Sequence, residues 1–231
     1  ADLSTFAVLF GELEQHYIEK ADGQRMEPVH TITNFDASGR PSLRPFINSN
    51  YHWHTDKSYL AYPSLMTMLY AVELPPEGGG DTQFADMTAA YDALPEQEKR
   101  AIADLRVVQS LEYMRASLGD RPPSEAERRK APPEEHPLVR THPETGRKSL
   151  YVGMYASHIV GMPETEGRAL LKRLEAHATE DRFVHTHRWR LHDVVIWDNR
   201  CLIHRAVANY AMDKHRRVLK RVCVQGTDRP H

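Results

Sequence analysis

Apolar and polar positions alternate in short bursts along most of the chain, and residues 64–74, 82–85, 138–141, 149–152, 182–190, 193–197, 201–207 and 218–224 read as strands. Pro143-Glu144-Thr145-Gly146 supplies the turn chemistry that joins two of them in a hairpin. Two stretches follow a helical period instead. One spans about 88–105 and is interrupted or restarted at Pro95, a residue tolerated in a first helical turn because it has no N–H to lose. The other begins at Pro163, carries Glu164 and Glu166 early and Lys172, Arg173 and His177 late, and stacks Leu170, Leu171 and Leu174 on one face. Residues 115–137 are crowded with proline, arginine, lysine and glutamate and read as a long surface loop, either a solvated connection or an active-site lid. Many short strands with two surface helices predict a mainly β chain with flanking helices, a β-sandwich or jelly-roll barrel.

Composition narrows the function classes. The chain has 231 residues, 40% apolar and 27% charged, which fits one globular domain spanning 1–231. Thirty basic against 32 acidic residues leave a net charge of −2, and no nucleic-acid footprint follows. The longest apolar run, 65–72, is far shorter than the roughly 20 residues of a spanning helix, so no membrane association is expected. Cys201 and Cys223 are too few for a disulfide scaffold and lack paired zinc spacing, which predicts a cytoplasmic setting. Oligomeric state is left open, a homo-oligomer included. The chain opens Ala1-Asp2-Leu3-Ser4 with no signal peptide to read.

Fourteen histidines weaken the force of any single histidine motif. His54-Thr55-Asp56 stands just before a strand, and in extended backbone a spacing of two sends the imidazole and the carboxylate to the same face. Those are two of the three ligands of a 2-His-1-carboxylate facial triad, which leaves adjacent positions open on non-haem Fe(II). A second match, His142-Pro143-Glu144, lies in the hairpin turn, where proline spoils the extended geometry. The third ligand must come from a remote strand. His204, in the apolar stretch Cys201-Leu202-Ile203-His204, is the best candidate, with a hydrogen-bonded core histidine as the alternative. Arg217 and Arg221 are four apart on a strand and share a face, whereas Arg216 and Lys220 point the other way. Two inward guanidiniums are costly unless each meets an anion.

Taken together, His54-Thr55-Asp56, Gly79-Gly80-Asp81-Thr82, Trp197-Asp198-Asn199-Arg200 with His204, and Arg216-Arg217-Val218-Leu219-Lys220-Arg221 resemble the taurine dioxygenase family of Fe(II)/2-oxoglutarate oxygenases. The stretches 84–94 and 137–143 and His177-Ala178-Thr179 are similar to its 2,4-dichlorophenoxyacetate dioxygenase branch. The resemblance implies a double-stranded β-helix (jelly-roll) core, Fe(II) on His54, Asp56 and His204, and 2-oxoglutarate held through its distal carboxylate by Thr82 and Arg217. It implies that Arg221 grips an anionic primary substrate, with Asn50 and His142 near the same pocket. The implied reaction hydroxylates an anionic small molecule, foremost an aryloxyalkanoate-like carboxylate, consuming O2 and releasing succinate and CO2. A taurine or alkylsulfonate dioxygenase is the alternative. Family members begin with strands and a helix upstream of Phe10-Gly11-Glu12-Leu13-Glu14, so the chain is expected to lack the N-terminal strands of the family. Tyr155 replaces a histidine of the herbicide-degrading branch, and Lys57 stands where a small hydroxyl residue is usual there.

Two further readings compete. His52-Trp53-His54-Thr55-Asp56 resembles the start of a binuclear zinc hydrolase signature, although Lys57 replaces the histidine required next. A non-catalytic jelly-roll binding protein would use its histidines only as hydrogen-bonding groups. Metal content separates the three: iron, two zinc ions, or none.

Overall fold

Among residues 3–14, 28–41 and 49–231, which the computed structural model describes, the chain runs α1 (Leu3–Ala7), β1 (His30–Thr33), β2 (Met66–Glu73), β3 (Thr82–Asp86), α2 (Met87–Asp92), α3 (Glu96–Ile102), β4 (Arg106–Gln109), α4 (Leu111–Ser117), α5 (Glu125–Lys130), β5 (Glu134–Pro137), β6 (Val139–Thr141), β7 (Lys148–Leu150), β8 (Ala156–Ile159), α6 (Glu164–Ala178), β9 (Val184–His187), β10 (Val194–Asp198), β11 (Leu202–Ala206) and β12 (Val218–Val224). No helix among them is long and apolar enough to cross a membrane.

Alternation in β2 decides what each of its faces meets. Met68 packs with Ala7, Val222 and Val224, while Leu69 and Ala71 on the opposite face pack with Phe84, Trp189, Trp197 and Leu219. Each fully buried side chain of this size contributes about 1.5–3 kcal/mol relative to an exposed one. β2 pairs antiparallel with β12 and β10, giving a sheet of order β1-β12-β2-β10. A second sheet, β11-β3-β9, supplies Phe84 to the same apolar cluster, so the two sheets face each other. Within these two sheets strands remote in sequence pair, β1 with β12 and β3 with β11, as a double-stranded β-helix core requires. The largest apolar cluster lies beside this core, where α2 and α6 pack Met87, Tyr91, Leu171 and Leu174 against Leu138, Leu150 and Ile159.

The helices follow their sequence signals with one subdivision. Asp86 caps α2, accepting the backbone N–H groups of Thr88 and Ala89 at 2.9 Å each, and Pro95 caps α3, so the stretch 88–105 is two helices that part before Pro95. In α6, Pro163 stands at the N-cap and Leu171 and Leu174 are buried, with Leu170 partly so. The strand expected over 182–190 shortens to β9, since Asp181–Phe183 forms a 3-10 turn.

Residues 115–137 are not the irregular loop that their composition predicts. They hold the end of α4, all of α5 and β5. Ser124 and Glu127 form a reciprocal capping box, with Glu127 N donating to Ser124 Oγ at 3.2 Å and Ser124 N donating to Glu127 Oε2 at 2.8 Å. Pro122 and Pro123 precede this cap and Pro132 and Pro133 follow the helix, so the prolines punctuate α5 and do not forbid it. β5 then pairs with β4, which also pairs with β8.

Candidate active site

His54 lies ahead of β2 and His204 in β11, and an isolated antiparallel bridge sets them opposite each other. Each backbone N–H donates to the other's carbonyl, at 3.1 and 2.8 Å, and the ring centroids are 4.2 Å apart. The sequence spacing of two then places Asp56 beside the pair. Nε2 of His54 is 3.8 Å from Asp56 Oδ1, and Nε2 of His204 is 3.8 Å from Asp56 Oδ2. These separations are too long for hydrogen bonds, and one ligand atom from each residue lies within 4.8 Å of the others.

The donor set suits a divalent transition metal. Burial pushes both imidazoles below their ordinary pKa, His204 furthest, so both stand neutral with a lone pair to offer. His54 Nδ1 lies 2.8 Å from the His52 carbonyl, which makes Nδ1 the protonated nitrogen and leaves Nε2 free to coordinate. Burial alone would raise the Asp56 carboxyl, but the Arg221 guanidinium and a hydrogen bond from the Thr67 hydroxyl hold it well below the carboxylate range. Two neutral imidazoles and one carboxylate are the ligand types of an open Fe(II) site.

A second group of residues prepares an anion site. Arg217 is 8% exposed and has no carboxylate within ion-pair distance among the described residues, and burial lowers its pKa. Its Nε donates to the Gly80 carbonyl at 2.7 Å, and its backbone N–H donates to Asn34 Oδ1 at 2.8 Å. Gly80 has φ +66°, and a Cβ there would meet Arg217 Cδ at 2.6 Å, so only glycine lets the guanidinium lie so close. Thr82 Oγ1 accepts from Trp189 Nε1 at 3.0 Å and from Arg217 Nη2 at 3.4 Å. With both lone pairs engaged, its hydroxyl proton remains for a ligand.

The ligand set and the Arg217–Thr82 pair border one cavity of about 620 Å³ between the two sheets. It is lined by His54, Asp56, His204, Thr82, Arg217 and Arg221, and also by Asn50, Tyr59, Leu69, Met154 and Tyr155. Arg221 is ion-paired with Asp56. Asn50 reaches the cavity wall, its carbonyl accepting the Ala206 N–H at 2.7 Å. The rings of Tyr59 and Tyr155 stand 4.8 Å apart, and burial drives the Tyr155 phenol well above its usual pKa. Arg216 and Lys220 do point away, toward Glu73 and Thr31.

Two sequence readings need correction. His142 does not line the cavity: the hairpin turn holds its Nδ1 against the backbone N–H groups of Glu144 and Thr145, and its Nε2 lies 3.2 Å from Asp198 Oδ2. Its neighbours Asp198 and Cys201 form another cluster, but both oxygens of Asp198 are already held by Arg200. Lys57 pairs with Glu14, outside the residues lining the main cavity. The binuclear zinc signature is not assembled, because His52 is exposed and only one histidine of that motif joins Asp56.

Sequence reasoning missed Thr67, which donates to Asp56 Oδ2 at 2.6 Å, and gave Asn199 and Trp197 no task. It also missed Asn34, whose side chain fixes the start of β12. Its only signal was a polar residue inside an otherwise apolar strand, in the case of Thr67.

Residues 1–223 match the family described as taurine catabolism dioxygenase TauD, TfdA family. The chain is 41% identical over 208 residues to the alpha-ketoglutarate-dependent 2,4-dichlorophenoxyacetate dioxygenase of Burkholderia sp. (strain RASC), covering 87% of this chain and 70% of that protein. It is 36% identical over 207 residues to the (S)-phenoxypropionate/alpha-ketoglutarate-dioxygenase of Sphingobium herbicidovorans, with coverage of 87% and 70%. The crystal structure of AAD-2 in complex with Mn(II) and N-oxalylglycine matches with a TM-score of 0.85 at 38% identity, over 98% of this chain and 78% of that one.

Proposed function

Because the chain belongs to the taurine catabolism dioxygenase TauD, TfdA family, we propose that its cavity hydroxylates an anionic small molecule, an aryloxyalkanoate-like carboxylate, with iron held by His54, Asp56 and His204. The enzyme is an Fe(II)- and 2-oxoglutarate-dependent dioxygenase, as its relatives are. One observation carries the assignment of the cavity: a buried guanidinium with no carboxylate partner among the described residues, Arg217, borders the same space as a two-histidine, one-carboxylate set. When bound, the iron supplies the oxygen chemistry, in which 2-oxoglutarate and O2 become succinate and CO2 while the second oxygen atom enters a C–H bond of the substrate.

The protein's own groups bind, orient and exclude water. Arg217 and the Thr82 hydroxyl take the distal carboxylate of 2-oxoglutarate through charge-assisted bonds, and Trp189 keeps that hydroxyl turned outward. Arg221 answers the anionic head of the substrate, which competes with Asp56 for its guanidinium. Asn50 lines the cavity as a neighbouring polar contact. Tyr59, Tyr155, Leu69 and Met154 give the remaining wall an aromatic and apolar character that suits a ring and offers a small sulfonate little. Hydroxylation beside an ether oxygen gives a hemiacetal, which from an aryloxyacetate collapses to a phenol and glyoxylate. Two free cysteines support a cytoplasmic setting.

The test is a panel of aryloxyacetates, arylpropanoates, fatty acids and taurine, scored by substrate-stimulated succinate release with Fe(II) and ascorbate fixed. Aryloxyalkanoates should stimulate most. Taurine as the best substrate would overturn the carboxylate assignment.

A further inference from the structure

Trp197, Asn199, Thr67 and Asp56 are 4%, 1%, 0% and 4% exposed, and hydrogen bonds link them in a line. The donor of each bond follows from chemistry. An indole N–H can only donate, so Asn199 Oδ1, 3.1 Å from Trp197 Nε1, must accept. The Asn199 amide is thereby fixed with Nδ2 toward Thr67 Oγ1, at 3.0 Å. Thr67 Oγ1 accepts that bond and turns its single proton to Asp56 Oδ2, at 2.6 Å. A reversed amide would face donor to donor at Trp197 and draw the threonine proton away from the carboxylate.

Register makes the line possible. Thr67 lies opposite Trp197 across the β2–β10 pairing, and Thr67 and Leu69 share the face that looks into the cavity side of the sheet. The Trp197 ring also packs against His204, with centroids 4.6 Å apart. One indole therefore steadies two residues of the ligand set. The two carboxylate oxygens are held differently: Oδ2 by a short, locked side chain, and Oδ1 by Arg221, at the end of a long flexible one.

We propose that Trp197, Asn199 and Thr67 are positioning residues, a relay that keeps Asp56 Oδ2 on the protein and presents Oδ1 to the metal. The relay rests on the reading of Asp56 as a ligand. Supporting groups of this kind change metal affinity by about 10- to 100-fold when removed.

Mn(II) binding to the metal-free full chain, followed through the electron paramagnetic resonance signal of unbound Mn(II), tests it without turnover. Thr67→Val should weaken binding about 10- to 100-fold, and Thr67→Ser, which restores the hydroxyl, should stay within about threefold of the parent. Trp197→Phe, which keeps a packed ring but frees the amide to reverse, should weaken binding about 3- to 10-fold and serves if Thr67→Val does not fold. Parental affinity in Thr67→Val, or equal losses in Thr67→Ser and Thr67→Val, overturns the relay; parental affinity in Trp197→Phe does so where Thr67→Val cannot be made. Asp56→Ala separates the two levels: if it binds Mn(II) like the parent, the ligand reading itself fails, and if it alone loses binding, only the relay does.

Discussion

His54 and His204 exchange both backbone hydrogen bonds, 3.1 and 2.8 Å long, although one precedes β2 and the other sits near the far end of the chain. The bridge fixes two imidazoles 4.2 Å apart before any metal arrives, so ring orientation costs little at binding.

His54→Ala should therefore lose Mn(II) or Fe(II) affinity by more than the roughly hundredfold typical of outer supporting groups, and substrate-stimulated succinate release should vanish with it. Titration of metal into the metal-free variant and a succinate assay check this. Full turnover in the variant would remove His54 from the ligand set.

Arg217 and Gly80 act on one carboxylate site from two directions. Losing one partner of a buried charged contact costs about 2–5 kcal/mol, so Arg217→Met should raise the KM for 2-oxoglutarate at least about tenfold and that of the primary substrate much less. Gly80→Ala should move the same constant in the same direction, because the added Cβ would stand 2.6 Å from Arg217 Cδ and displace it. Steady-state kinetics with each substrate varied in turn decide it; an unchanged 2-oxoglutarate KM in Arg217→Met would move the carboxylate site elsewhere.

His136 sets part of the acid limit of stability. It is 2% exposed, its Nε2 lies 3.0 Å from the Leu60 carbonyl as a neutral donor, and burial lowers its pKa to about 4. The unfolded chain titrates this group near 6.5, so between about 6.5 and 4 the unfolded state binds more protons. The stabilisation is present above that window and is lost as pH falls through it. His136→Gln keeps a donor for Leu60 but cannot titrate, and the loss of unfolding free energy between pH 7.5 and 5 should shrink by about 2 kcal/mol in it. Equal losses in parent and variant, by denaturant titration, would refute this.

We propose that residues 115–137 cover the cavity during turnover. The α4–α5 pair is tied together by Arg115 to Glu127 at 2.9 Å and Arg128 to Glu112 at 2.7 Å. The Ser110 N–H at its start donates to the carbonyl of Tyr155, a cavity residue, at 2.8 Å. Hydrogen exchange in 115–137 should slow several-fold when Mn(II), 2-oxoglutarate and substrate are added together. Identical exchange with and without them would leave the segment a fixed surface element.

The sequence by itself determined whatever depends on local spacing. Period-two alternation marks β2, β3, β10, β11 and β12; the gap of two aligns His54 with Asp56; the gap of four puts Arg217 and Arg221 on one cavity wall. Proline and acidic residues mark the starts of α3 and α6. Only the tertiary structure decided the rest. β4, β5 and β8 are four residues each and hold together by pairing with one another, so no local pattern announces them. The family resemblance puts His142 near the pocket, yet the turn that carries it aims it at Asp198. Thr67 reads as an interruption in an apolar strand, and its task exists only because the register of β2 with β10 sets it opposite Trp197, within reach of Asn199 and Asp56. A hydrogen bond between remote residues depends on register and side-chain direction together, and neither is written in the spacing of a single strand.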